Sequence, residues 1–140
     1  MPPVFPPLQD KFLHECRTFK SDLDAQVHII RCDPDGRGEK RISEVARAVG
    51  NLSNRMSQII CIAIDMVDRA PDSEILRRNT AFWSLGPDGH FKFADVFIRM
   101  ERDLIHIMLV LIRSPSERNC TGIAGHLNKM ARQISFHLNV

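Results

Sequence analysis

The strongest constraint on this chain is the spacing of its large apolar residues, which recur every three or four positions along most of its length. That period places them on one stripe of an α-helix, where alternation in twos would have marked a strand. Phe12, Cys16, Phe19, Leu23, Val27 and Ile30 form one such stripe. Ile42, Val45, Val49, Leu52, Met56, Ile59, Ile60, Ala63, Met66 and Val67 form a second. Ile123, Leu127, Met130, Ile134 and Leu138 form the last. Between them, residues 104–112 are apolar on nearly every side and are interrupted only by His106. A helix that is apolar all round must be enclosed by other elements or by a partner, and this segment is the best candidate for the centre of the fold.

The breaks between stripes are equally legible. Pro34, Gly36 and Gly38 end the first helix, predicted over about 8–31. The second is predicted over about 42–69, with a bend or split at Gly50-Asn51, because glycine costs ~1 kcal/mol relative to alanine inside a helix. Ala70-Pro71 stops it, and Asp72 or Ser73 is placed to cap a short third helix over roughly 73–84. Gly86-Pro87-Asp88-Gly89 is a turn before a fourth helix over about 93–113. Ser114, Pro115 and Glu117 fit the cap, first-turn and third positions of a capping box for the fifth helix, over much of 115–138. Gly122 and Gly125 could split off its first turn or admit a close helix neighbour. The first seven residues hold four prolines and are expected to form an extended arm, in which Pro3-Val4-Phe5-Pro6 matches a P-x-x-P docking pattern. The expectation is therefore an all-α fold: an arm over residues 1–7 and one compact bundle of about five helices over 8–140.

Composition agrees and removes several functional classes. The 140 residues are 44% hydrophobic and 26% charged, globular values that permit one domain with a real core. With eight Phe, one Trp and no Tyr, aliphatic residues and Met must do most of the packing, which suits helices better than a sandwich of strands. The formal charge is only +2, and the largest local excess is +3 over residues 113–140, from four Lys/Arg and one acidic residue. No basic face interleaved with aromatics is visible, so a nucleic-acid partner is not expected. The longest apolar run falls far short of the roughly 20 residues needed to cross a bilayer. Cys16, Cys32, Cys61 and Cys120 are dispersed without a C-x-x-C pair and read as reduced, mostly buried thiols of an intracellular, most simply cytoplasmic, protein. In that setting the N-x-S/T matches at Asn51 and Asn119 carry no glycan.

No constellation amounts to an active site, and neither a cofactor nor a metal is expected. His28 and Cys32 lie four apart and could face one way, but a zinc ion needs a second ligand pair. Asp103 and His106 share a helix face, as do Asp65 and Asp68, without a nucleophile beside them. His106 is expected to be half-buried and satisfied by a carbonyl or by Asp103. Gly36-Arg37-Gly38 opens no strand–helix unit of a phosphate-binding kind.

Two segments resemble known patterns. Asp33, Asp35, Gly38 and Glu44 fall at the first, third, sixth and twelfth positions of a loop similar to an EF-hand. Asp88, Gly89, Phe91 and Asp95 fall at the fifth, sixth, eighth and twelfth positions of a second loop beginning at Ser84. Arg37 stands where an oxygen ligand belongs, Lys40 where an apolar residue pairs the loops, and Ser84 and Gly86 where carboxylates belong. The resemblance implies a divalent-ion-responsive regulatory protein, which is the alternative reading. Residues 42–51 resemble the amphipathic recognition helix of apoptosis-regulator bundles, with an alanine at a large-anchor position and Asn51 in place of an Asp.

The apolar stripes exceed what a minimal bundle needs, and surplus apolar surface marks a groove or a dimer face. The expected function is therefore a non-enzymatic adaptor or regulatory domain that binds a protein partner, or itself, through helix faces. Val45, Val49, Leu52 and Met56 are the expected contact residues. Asp at position 49 should weaken partner capture if that face is free, and should unfold the domain if it is core.

Overall fold

The computed structural model describes residues 5–32, 39–114 and 117–140, with side chains over 8–32, 42–114 and 122–140. The fold is an all-α bundle, and the described residues hold six helical segments: α1 Phe5–Cys32, α2 Glu39–Arg69, α3 Glu74–Arg78, α4 Thr80–Trp83, α5 Lys92–Arg113 and α6 Glu117–Leu138. The four long helices form the walls. Each packs on its neighbour in the cyclic order α1, α2, α5, α6, with α2 against α5 the most extensive contact and α5 against α6 among the slightest.

Individual contacts fix the directions. Arg55 of α2 reaches Glu15 of α1 at 2.8 Å and Asp22 at 3.6 Å. Ser57 of α2 donates to Glu101 of α5 at 2.8 Å, while Gly50 lies beside Met108. Advancing along α2 therefore means retreating along α5, so the pair is antiparallel. A cleft brings Gln9 and Leu13 of α1 next to His137 and Leu138 of α6, so α1 and α6 also run in opposite directions.

The stripes read from the sequence are the core. Phe12, Cys16, Phe19, Leu23, Val27 and Ile30 are all buried, as are Val45, Val49, Leu52, Met56, Ile59, Ala63 and Met66 on α2. On α6, Ile123, Leu127, Met130 and Ile134 complete the interior. One end is closed by aromatic rings carried in on α4. Trp83 meets Phe12 edge-on at 5.4 Å and Phe93 at 4.8 Å, and Phe82 meets Phe97 at 5.6 Å. The two edge-to-face pairs among these, Trp83–Phe12 and Phe82–Phe97, add about 0.5–1.5 kcal/mol each beyond area burial.

Several boundaries differ from expectation. α1 begins at Phe5, so residues 5–7 belong to a helix and not to an extended arm. Pro6 and Pro7 fall in its first turn, where no intrahelical N–H bond is lost. Met1–Val4 lie outside the described residues, and with them half of the P-x-x-P pattern. α2 is one unbroken helix of 31 residues. Gly50 does not split it, and a Cβ there would stand 3.1 Å from Met108 Sδ of α5, tighter than ordinary van der Waals contact. The expected third helix is two short ones, broken at Asn79, whose backbone (φ −139°, ψ 67°) is not helical. Asn79 Oδ1 then accepts from Phe82 N at 3.3 Å and starts α4. Ser73 occupies the N-cap of α3 but makes no cap bond, and its buried hydroxyl has no partner among the described residues. α6 runs through Gly122 and Gly125 without a break. Its expected capping box includes Pro115 and Ser116, which lie outside the described residues.

Candidate interaction face

The segment 104–112 is enclosed on one side only, which corrects the expectation of a central helix. Leu104, Ile107 and Leu111 point into the core and are buried. Phe93, Phe97 and Met100 of the same helix join them, but four other large aliphatic residues do not. Ile98 is 38% exposed, Ile105 38%, Leu109 39% and Ile112 63%. Positions 98, 105 and 112 are seven apart and position 109 is four after 105, so all four lie on one stripe of the helix surface. Met108 and Glu101, which face α2, border that stripe on its inner edge. Asp95, Arg102 and Arg113 follow it on the solvent edge, where all three are exposed.

Beside this stripe the seam between α2 and α5 opens into an apolar groove of about 510 Å³. Ile42, Ala46, Met108, Leu111 and Ile112 supply its apolar wall, and Ser43 and Arg47 its rim. Further along the same α2 helix, Ile64 and Cys61 are exposed. Stripe and groove together make a continuous apolar surface on the outer side of the α2–α5 pair. Exposed apolar patches of this sort on globular domains mark binding surfaces.

The four residues expected to make contact are elsewhere. Val45, Val49, Leu52 and Met56 are 0–3% exposed, and all sit inside the bundle. A partner could touch them only by displacing α5 or α1. Sequence periodicity therefore selected the inner face of α2. The exposed stripe of α5 has no comparable signal in the sequence, because an almost wholly apolar run carries little phase to separate Leu104 from Ile105.

The chemically active residue types stay dispersed. His28 and Cys32 do share a face of α1, with Cys32 Sγ 3.5 Å from both ring nitrogens, and both residues are exposed. Among the described residues no group of three or more His, Cys, Asp or Glu converges as a metal site would require. His106 is exposed, not half-buried, as are Asp103, Asp65 and Asp68. The thiols also depart from expectation: Cys16 is buried, while Cys32 and Cys61 are exposed. Cys120 has no described side chain.

Of the two EF-hand-like loops, the first centres on residues 33–38, outside the described residues. The second closes on itself as a small hairpin. Leu85 bridges Phe91, Gly86 N donates to His90 O at 2.7 Å, and Lys92 N donates to Ser84 O at 3.2 Å. Asp88 Oδ1 accepts from His90 N at 3.1 Å, so that carboxylate serves the turn. Gly89 takes φ +83°, a left-handed conformation that glycine adopts without a side-chain clash.

Two other concavities are polar. A groove of about 410 Å³ between α1 and α2 is rimmed by Asp22, Gln26, Asn51, Asn54 and Arg55, of which Arg55 is held by Glu15 and Asp22. A cleft of about 300 Å³ lies between the starts of α1 and α3 and the end of α6, where His137 stacks on Phe82. Among the described residues no helix is long and apolar enough to cross a membrane. No protein-family model, curated protein or solved structure matches this chain.

Proposed function

We propose that this chain is a helical protein–protein interaction domain that binds an amphipathic helix along the outer face of α2 and α5. The observation that carries the reading is the stripe of Ile98, Ile105, Leu109 and Ile112, large aliphatic side chains left in water beside an apolar groove. An amphipathic helix laid into such a groove buries anchors at helical spacing on both sides of the contact. Each fully buried Leu or Ile contributes about 1.5–3 kcal/mol from removal of apolar area from water. The exposed charges at the margin, Arg47, Asp95, Arg102 and Arg113, provide a polar rim. An adaptor or regulatory role is the reading that this apolar surface supports.

The test is an NMR titration with a synthetic amphipathic Leu/Lys helical peptide. Amide shifts should move along α2 between Ile42 and Ile64 and along α5 between Ile98 and Ile112. The double substitution Ile105→Glu/Leu109→Glu should abolish them while the far-ultraviolet circular dichroism stays helical. Shifts confined to the polar groove or to the aromatic end, or indifferent to the double substitution, would remove this face from consideration.

A further inference from the structure

We infer that the helix bound on this face is α5 of a second copy, so that the chain forms a two-fold symmetric dimer. The inference rests on the interaction-domain reading and names its partner. Three features of α5 carry it.

The first is the spacing of the stripe. Ile98 and Ile112 lie seven residues before and seven after Ile105, so these three isoleucines read the same in either chain direction. A heptad repeat is the spacing at which two helices pack side by side. An antiparallel copy related by a two-fold axis through Ile105 sets Ile105 against Ile105 and each Ile98 against the opposing Ile112. Such a contact is isologous: one patch serves both partners and leaves no open end.

The second is the groove. It flanks Ile112 and Met108 on the α2 side. The same rotation brings the second copy's Ile98 over it, where Ile42, Ala46, Met108 and Leu111 would surround that side chain. The exposed knob and the empty hole lie at opposite ends of one helix, as self-association of this geometry requires.

The third is charge. Asp95 stands ten residues before Ile105 and Arg113 eight after, both on the solvent edge of the stripe. The rotation keeps that edge on the same side, so each Asp95 arrives within about one helical turn of the second copy's Arg113. Arg102, between them on this edge, lies opposite the second copy's Leu109, which its aliphatic stem can cover while its charge stays in water.

The experiment is light scattering behind size exclusion over a range of chain concentrations, run on the full chain and on surface variants. The wild type should pass from 16.0 kDa to twice that mass as concentration rises. Ile105→Glu should weaken self-association at least ten-fold and leave helical circular dichroism intact. Asp95→Arg should also weaken it, and the swap Asp95→Arg/Arg113→Asp should restore it. That rescue is something general loss of solubility or folding cannot mimic. A wild type that stays monomeric, a dimer indifferent to Ile105→Glu, or a swap without rescue would overturn the second-copy assignment. The Leu/Lys peptide separates the two levels. A monomeric chain that binds the peptide through Ile105 retains the interaction face and loses only self-pairing, whereas a chain that does neither loses both.

Discussion

His137 lies flat against Phe82, ring centroids 4.5 Å apart and planes 13° from parallel. Asn79, which opens α4, donates its side-chain N–H to the His137 carbonyl at 3.2 Å. The last turn of α6 is thereby tied to the short helix that carries the aromatic plug. Burial, and secondarily the positive charge of Lys92, hold the His137 imidazole below its ordinary pKa of 6.5.

The neutral ring is the form this contact favours, and the consequence has a sign. Below pH 6.5 the unfolded chain takes up a proton at this position more readily than the folded one, so unfolding gains as pH falls. Stability should therefore be highest above pH 6.5 and decline on acidification until the folded-state pKa is passed. Thermal melts from pH 8 to pH 5 should show that decline, and His137→Phe, which keeps the stack and removes the titration, should make it shallower. An unchanged slope would mean that His137 does not sense the fold.

Substitutions on the two faces of the α2–α5 pair should separate cleanly. Val49 is fully buried, so Val49→Asp places an unpaired carboxylate in an apolar interior at a cost of several kcal/mol, and helical circular dichroism should be lost. Ile112 is the most exposed of the stripe, and Ile112→Asp should move the unfolding free energy of the dilute chain by no more than ~0.5 kcal/mol. Urea titrations of both variants at low concentration make the comparison.

Thiol reactivity should follow depth. Burial, reinforced by the neighbouring Glu15 charge, pushes the Cys16 thiol up to about 12, so at pH 8 it is neither accessible nor ionised. Peptide mapping after brief iodoacetamide treatment should find Cys32 and Cys61 alkylated and Cys16 intact until denaturant is added. Early modification of Cys16 would show that α1 opens without global unfolding.

Two glycines should respond oppositely to alanine. Nothing lies within 4 Å of the site a Cβ would take at Gly125, in the body of α6, so Gly125→Ala should stabilise by about 0.5–1 kcal/mol through helix propensity. Gly89 has equal room but a φ of +83°, so Gly89→Ala should destabilise by about 1 kcal/mol. Chemical denaturation midpoints decide both.

The helical class, the four long elements and most of the interior were legible in the sequence, because a periodic stripe such as Phe12–Cys16–Phe19–Leu23 states both the element and its inward face. What periodicity does not state is which neighbour covers a residue. Residues 104–112 have almost no polar face to set their phase, so periodicity alone does not separate Ile105 and Leu109 from Leu104. Apolar neighbours make a set of mostly buried thiols the natural expectation, yet Ile59 and Ile62 point inward and Cys61 between them does not. Asn79 broke a helix for a reason visible only in three dimensions: its side chain serves α4 while also meeting the end of α6.

The walls of this bundle are staves of unequal length, 28 and 31 residues for α1 and α2 against 22 each for α5 and α6. One end of such a barrel needs a bung, and α4 with Phe82 and Trp83 is that bung. The connection between α2 and α5 is thus not an exchangeable spacer. Replacing it with a plain linker would leave Phe12, Phe93 and Phe97 facing solvent, whereas an insertion at the Pro87–Gly89 tip should pass almost unnoticed.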